Sequence, residues 1–293
     1  MSELTLEQAK ITAAQNVKNR PSTKGRLGGR LAVVTGGARG FGLGIAQTLY
    51  QEGASIVLAD LDIEEARQAA AALGDRAWAI QVDVSDADSV AAMVAKSVEH
   101  MGGIDLFLSN AGVLKAGGLE EMRPQDFDLV TRVNYTGYFL CTQAVSQIMK
   151  AQSEAEENRW YDIIQINSKS GLTGSKANFA YAGGKFGGIG LTQSFAMELV
   201  PHRIKVNAIC PGNYYDGPLW SDPENGLFVQ YLKAGKVPGA KTVEDVKQSY
   251  LQKSLIQRGC LPEDVAKAVF YCVDQCYETG QAIPVSGGQI MLA

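Results

Sequence analysis

The sequence predicts an α/β fold, a doubly wound parallel sheet with helices on both faces. Three observations predict it. From Leu31 onward, short apolar and β-branched runs alternate with segments of helical periodicity. The first run, Leu31–Thr35, opens directly into a glycine-rich turn containing Gly36, Gly40 and Gly42. Polar residues able to carry chemistry then recur at the C-terminal ends of the runs. Alternation of this kind covers both faces of a parallel sheet with helices, and ligands of such sheets bind beyond the strand C-termini.

Residues 1–29 form an N-terminal extension. Thr5–Gln8 reads as a capping box, and Leu6, Ala9, Ala13 and Val17 recur at helical spacing. Asn19–Gly25 is a basic, turn-rich linker. The extension is expected to lie as an extra helix on the domain or across a subunit contact. Residues 30–293 form the sheet domain, beginning with the strand Leu31–Thr35 and a helix over Phe41–Glu52. Ser55–Ala59 is the next strand, ending at Asp60, and an Ala-rich helix covers Ile63–Leu73. Ala77–Gln81 is a third strand, after which Ser85 is read as the cap of a helix reaching Met101. Leu106–Ser109 runs into Asn110-Ala111-Gly112, followed by one long helix over Pro124–Lys150. The strand Asp162–Ile166, the helix Ala177–Leu199, the strand Lys205–Ile209 and the run Ala282–Val285 complete the sheet. An insertion at 212–258, rich in Pro, Gly and aromatics and carrying a helical piece at Thr242–Lys253, is read as a substrate lid.

Composition narrows the function classes. With 46% hydrophobic and 20% charged residues, the chain is globular with an ample core. A net charge of −4 gives no nucleic-acid footprint, and no apolar run reaches membrane-spanning length, so neither partner is expected. The five cysteines contain no C-x-x-C pair and read as reduced thiols in a cytoplasmic protein. The two histidines, His100 and His202, stand near no nucleophile elbow or ligand cluster, so no hydrolase triad and no catalytic metal are expected.

The stretch Thr35-Gly36-x-x-x-Gly40-x-Gly42 is read as strand, tight turn and helix start. Its glycines let backbone approach a pyrophosphate, and the helix N-terminus supplies free N–H groups and partial positive charge. Asp60 follows close to the ~20-residue offset of an acid that binds a ribose 2′-hydroxyl. A carboxylate there repels a 2′-phosphate, which predicts NAD rather than NADP. The competing reading is a plain strand-end Asp that caps the next helix, a role Asp62 can fill.

Tyr181 and Lys185 lie one turn apart on a predicted helix and share a face. A phenol near pKa 10 is a poor base at neutral pH, whereas a neighbouring ammonium and a positive nicotinamide ring favour the phenolate. Ser168 ends the preceding strand, where its hydroxyl can meet the substrate oxygen opposite the tyrosine. Asn134 is polar where the helix pattern expects an apolar residue. It is read either as a satisfied buried amide or as a helix distortion holding a proton-relay water to Lys185.

Taken in order, Thr35-Gly-x-x-x-Gly40-x-Gly42, Asp83-Val84, Asn110-Ala-Gly112, Asn134, Ser168, Tyr181-x-x-x-Lys185 and Pro211-Gly212 resemble the short-chain dehydrogenase/reductase family from about Arg30 to the C-terminus. The resemblance implies a single-domain Rossmann fold, dinucleotide-dependent carbonyl/alcohol interconversion and a homotetramer built partly from the two long helices. It implies Tyr181 as acid/base, Ser168 orienting the substrate oxygen, Lys185 on the nicotinamide ribose and Asn134 holding the relay water. Gly36, Arg39, Gly40, Phe41, Gly42, Asp60, Asp83, Val84, Asn110, Ala111, Gly112, Pro211 and Gly212 are expected to line the cofactor site with Tyr181 and Lys185.

Within the family, Ile164–Gly171, Gly174-Ser-Lys176, Lys185–Gly188, Leu191–Ser194, Arg258-Gly-Cys260, Thr279–Gln281 and Gly287–Gln289 resemble the sorbitol-6-phosphate 2-dehydrogenases. That implies oxidation of a polyol phosphate at C2, or the reverse. Lys169, Asn213 and Arg258 are the candidate substrate contacts, with Lys176, Asn167 and Gln193 as further polar candidates. After Pro211-Gly212 the family often carries a Thr for the carboxamide, whereas this chain reads Asn213-Tyr-Tyr-Asp216. An unphosphorylated polyol or sugar, and a reductase of another carbonyl class, are the alternative readings.

Overall fold

The strands β1 (Leu31–Thr35), β2 (Ser55–Asp60), β3 (Ala77–Gln81), β4 (Leu106–Ser109), β5 (Tyr161–Ile166), β6 (Ile204–Pro211) and β7 (Ala282–Val285) form one parallel sheet. Their order is β3-β2-β1-β4-β5-β6-β7. Register places Val33 beside both Val57 and Phe107, and Ile163 beside both Phe107 and Val206. The computed structural model describes residues 4–233 and 235–291; the chain ends at 1–3 and 292–293 and lid position 234 lie outside them.

The strands β1 and β4 are almost wholly apolar without alternation because both faces are covered, while β5 is equally buried and carries Asp162, paired with Lys205 of β6 at 3.0 Å, and Gln165. On one face Val33, Phe107 and Ile163 pack beneath the helices Ala87–Met101 (α4) and Gly137–Ala155 (α6). On the other, Ala32, Ile56 and Ile164 pack beneath Gly40–Gln51 (α2) and Pro262–Asp274 (α11). The first face also carries α7 (Phe179–Leu199) through Ala196 and Leu199, the second α3 (Ile63–Leu73) through Ala70, and α5 (Pro124–Thr131) precedes α6 in the chain.

Three local expectations change. Asp86, not Ser85, caps α4, its Oδ1 accepting from the Asp88 amide at 2.9 Å. Ser85 instead donates its amide and its hydroxyl to Asp83, at 2.9 and 2.7 Å. The predicted helix over Pro124–Lys150 is broken: α5 passes into a π-helical turn at Arg132–Thr136, and α6 continues to Ala155. α7 begins at Phe179, because Ala177 adopts φ 60°, a left-handed backbone that no helix continues through.

The extension lies on the domain. Its helix α1 (Leu6–Asn16) is closed by the predicted capping box, Thr5 and Gln8 bonding reciprocally. Ala9 and Ala13 bring it close against α4 and α6 and are buried in their core. The linker that follows sends Arg20 to the buried Asp105 at 2.6 Å.

The insertion at 212–258, read from the sequence as a lid, contains α8 (Pro218–Ser221), α9 (Leu227–Lys233) and α10 (Val243–Leu251), the last capped by Thr242. These short helices are held by their own core, in which Tyr215, Trp220, Phe228 and Tyr231 meet ring to ring.

Candidate active site

Beyond the carboxyl ends of the strands, where the order reverses between β1 and β4, lies a cleft of ≈ 830 Å³. Its first half is built by the glycine turn. Gly36 has φ 61°, and a Cβ there would stand 2.9 Å from the Ala111 Cα. A Cβ on Gly42 would stand 2.0 Å from the Gly36 carbonyl oxygen, so a side chain at either position closes the cradle. Arg39 precedes α2 without capping it, which leaves the amides of the first turn free beside the cleft wall at Gly40 and Phe41.

Asp60 ends β2 over this turn. Its Oδ2 accepts from the Ala38 amide at 3.0 Å and its Oδ1 from the Asp62 amide at 3.2 Å. Asp62, as expected, takes the capping role on α3. Asn110 spends its amide on the turn itself, donating to the carbonyls of Thr35 and Gly36 at 2.9 and 3.0 Å. Asp83, Val84, Ala111, Gly112, Pro211 and Gly212 continue the wall. A glycine cradle, an uncapped helix start and a carboxylate at the end of β2 together fit a nicotinamide dinucleotide.

Ser168, Tyr181 and Lys185 meet on the wall of the other half. Ser168 sits at the end of β5, where its Oγ accepts from the Ser170 amide at 3.1 Å. Asn167 below it bonds the Ser168 amide at 2.8 Å and the Lys185 carbonyl at 2.9 Å, which ties β5 to α7. The buried Lys185 donates its Nζ to the Ile166 carbonyl at 2.9 Å, and the ammonium lies 5.6 Å from the centre of the Tyr181 ring.

Burial controls the titration of both groups. It lowers Lys185 to about 8 and pushes Tyr181 up to about 12, with the Ser168 hydroxyl working against the second shift. Desolvation, joined by Cys210 and Tyr231, raises the phenol, the Ser168 hydroxyl alone opposes it, and the expected lowering by Lys185 is not among the influences on Tyr181.

Asn134 lies in the π-helical turn. Its Oδ1 accepts from the Val113 amide and its Nδ2 donates to the Val113 carbonyl, both at 2.8 Å. The helix is distorted here, and the side chain is a satisfied buried amide whose oxygen and nitrogen both go to Val113. Val113 and Val133, rather than the Asn134 side chain, line the cleft.

Of the candidate substrate contacts, Lys169 and Asn213 line the cleft and Arg258 does not. Arg258 turns to Asp264, donating Nη2 to Oδ1 at 2.9 Å; Gln193 is exposed on α7, away from the cleft. Lys176 does reach the wall. Asp216 stands apart from the cleft, its Oδ1 3.7 Å from Lys247. Both histidines lie elsewhere: His100 stacks on Trp78, and His202 sits in the turn after α7.

Sequence reasoning missed Lys236 and Lys253, which line the cleft from the lid. Lys236 lies over the ring of Tyr231 at 3.8 Å and Lys253 over that of Tyr250 at 4.2 Å. The signal was available as two Tyr-then-Lys pairs within the lid.

Fold and site together define a dehydrogenase of the nucleotide-binding α/β class acting on CH–OH groups. The chain belongs to the short chain dehydrogenase family, whose pattern matches residues 30–220. It is 35% identical over 270 residues to the sorbitol-6-phosphate 2-dehydrogenase of Escherichia coli strain K12, covering 89% of this chain and 99% of that one. It is 34% identical over 268 residues to the galactitol 2-dehydrogenase of Agrobacterium fabrum, covering 91% and 99%. The crystal structure of sorbitol-6-phosphate 2-dehydrogenase from Erwinia amylovora superposes with a TM-score of 0.81 at 38% identity, covering 89% of this chain and all of that one.

Proposed function

We propose that the protein interconverts a polyol phosphate and its ketose phosphate, sorbitol 6-phosphate and fructose 6-phosphate, with NAD and with Tyr181 as acid/base. The observation that carries this reading is the meeting of Ser168, Tyr181 and Lys185 on one wall, with Lys169 beside Ser168. The likeness to two sorbitol-6-phosphate 2-dehydrogenases supports the substrate.

The dinucleotide, when bound, supplies the acceptor for the hydride that leaves the carbinol carbon and returns it in reduction. Tyr181 takes the hydroxyl proton through its phenol oxygen as the C–O bond becomes a carbonyl, and gives it back in the reverse direction. Ser168 holds the same oxygen from the other side. Lys185 spends one N–H on Ile166 and offers the others to the nicotinamide ribose. Asn134 acts through the π-helical turn that it braces against Val113. Asp60 accepts the adenosine ribose hydroxyls and disfavours a 2′-phosphate.

A homotetramer and a cytoplasmic setting belong to the same reading. Phe139 on α6 and Phe186 and Met197 on α7 are exposed apolar side chains in keeping with the first, and four buried free thiols with the second.

Steady-state absorbance of the reduced nicotinamide, with NAD⁺ and a panel of sorbitol 6-phosphate, sorbitol and galactitol, tests the proposal. It predicts the highest kcat/KM for the phosphorylated substrate. Equal or better turnover of galactitol favours the unphosphorylated reading that the Agrobacterium relative supports.

A further inference from the structure

We propose that Lys236 and Lys253 of the lid, together with Lys169, form the seat for the substrate's phosphate group. This rests on the polyol-phosphate reading and names the residues that would select for it.

All three lysines line the same cleft as Ser168 and Tyr181. Lys169 follows Ser168 directly and opens the turn after β5. Lys236 and Lys253 come from the opposite side, seated over Tyr231 and Tyr250 at 3.8 and 4.2 Å. Those two rings stack on each other with centroids 5.6 Å apart and planes 19° from parallel, so one platform carries both ammonium groups. Asn178, in the turn that begins α7, donates to the Tyr231 hydroxyl at 2.9 Å. That bond ties the platform to the helix that bears Tyr181.

The way these charges are held distinguishes them from the paired cations nearby, and Lys176, the other unpaired lysine among the described residues of the cleft wall outside the Tyr181–Lys185 pair, is exposed. Lys247 pairs with Asp216, Arg258 with Asp264 and Arg39 with Glu65. Among the described residues, no ion pair joins Lys169, Lys236 or Lys253 to a carboxylate. An aromatic face fixes the ammonium of Lys236 and of Lys253 through its quadrupole without cancelling its charge, and the N–H groups turned away from the ring stay available. Burial depresses Lys169 and Lys236 most, and the lysines add to it: Lys253 and Lys169 both depress Lys236, and Lys253 depresses Lys169. Like charges gathered without a counter-ion are unfavourable to the free protein, and a dianion relieves this.

The acids of the same cleft are placed elsewhere. Asp60 and Asp83 belong to the nucleotide half, and Asp222 turns its Oδ1 to the amides of Glu224 and Asn225. A carboxylate ligand would bring only one negative charge to three cations, whereas a phosphate monoester brings close to two and three acceptor oxygens.

The test uses the full-length enzyme and its variants K236M, K253M and the charge-keeping K236R. With sorbitol 6-phosphate, each methionine variant is expected to lose about 10- to 100-fold in kcat/KM, mostly through KM, and K236R to recover most of it. Calorimetry with inorganic phosphate is expected to detect binding to the wild type that the methionine variants lose. Wild-type turnover of sorbitol 6-phosphate with unchanged KM in both methionine variants overturns the seat while the substrate reading stands. If the wild type ignores sorbitol 6-phosphate yet binds phosphate through these lysines, the seat stands and the substrate reading falls. If phosphate binds with equal affinity to wild type and variants, or not at all, the assignment is wrong.

Discussion

The Lys185 Nζ donates to the Ile166 carbonyl at 2.9 Å while the ammonium stands 5.6 Å from the centre of the Tyr181 ring. A buried backbone acceptor therefore anchors the amine, and the phenol beside it is held protonated by burial. Replacing Tyr181 by Phe removes the proton acceptor and leaves the cleft's shape intact. The expected result is a loss of about 10²- to 10⁴-fold in kcat, with dinucleotide affinity changed only slightly. Stopped-flow turnover and fluorescence titration of the reduced dinucleotide measure the two separately. A near-wild-type rate excludes Tyr181 as the acid/base.

The direction of the pH dependence follows from the same pair. Oxidation needs the phenolate, and Tyr181 lies at about 12, so kcat for oxidation is expected to rise with pH from neutrality upward. Reduction needs the protonated phenol, which is the dominant form over that range, so its rate is not expected to rise in parallel. Matching profiles in the two directions would show that another group moves the proton.

At the nucleotide end, Asp60→Ala removes the carboxylate that would face a 2′-phosphate, and Arg39 lines the same wall. The ratio of kcat/KM for NADP to that for NAD is expected to rise by about 10-fold or more. Unchanged selectivity would mean that Asp60 only braces the glycine turn through Ala38.

The lid is fastened by Asn178, whose Nδ2 reaches the Tyr231 hydroxyl at 2.9 Å. Asn178→Ala loosens the tyrosine platform and leaves the glycine cradle untouched. KM for the polyol substrate is expected to rise about 10-fold, with dinucleotide affinity held. Equal losses in both would indicate a general disturbance of α7.

The extension contributes to stability through Asp105. This carboxylate is fully buried and accepts from Arg20 at 2.6 Å, from the Leu31 amide at 3.0 Å and from Arg159 at 3.3 Å. Asp105→Ala takes the buried acceptor from both guanidinium groups and leaves Arg20 only Glu156 at 3.5 Å, and is expected to cost about 3 kcal/mol in urea unfolding. A loss below about 1 kcal/mol would show that solvent already screens the cluster.

The alternation of apolar runs and periodic segments was sufficient to read the parallel sheet, because strands buried on both faces are predominantly apolar, even where β5 and β6 also bury Asp162, Gln165, Lys205 and Asn207. The glycine turn, Asp60, Ser168 and the Tyr181–Lys185 pair were legible for a related reason: each lies on or just beyond a regular element whose spacing sets its direction. The break in the helix at Asn134 was visible only as an oddly placed amide, since a π-helical turn depends on the partner that the amide finds, here Val113.

What the sequence determined by itself was the order of strands and helices and which polar residues stand at the strand ends, because local periodicity and backbone freedom govern both. The tertiary structure alone decided which lid cations face the cleft. Arg258 and Lys236 look alike in a sequence, yet one is neutralised by Asp264 and the other rests on Tyr231 above the site. Both of those contacts are local in the chain; what only the tertiary structure creates is the long-range tie from Asn178 to the Tyr231 hydroxyl, which sets the ring under Lys236 beside the helix that bears Tyr181.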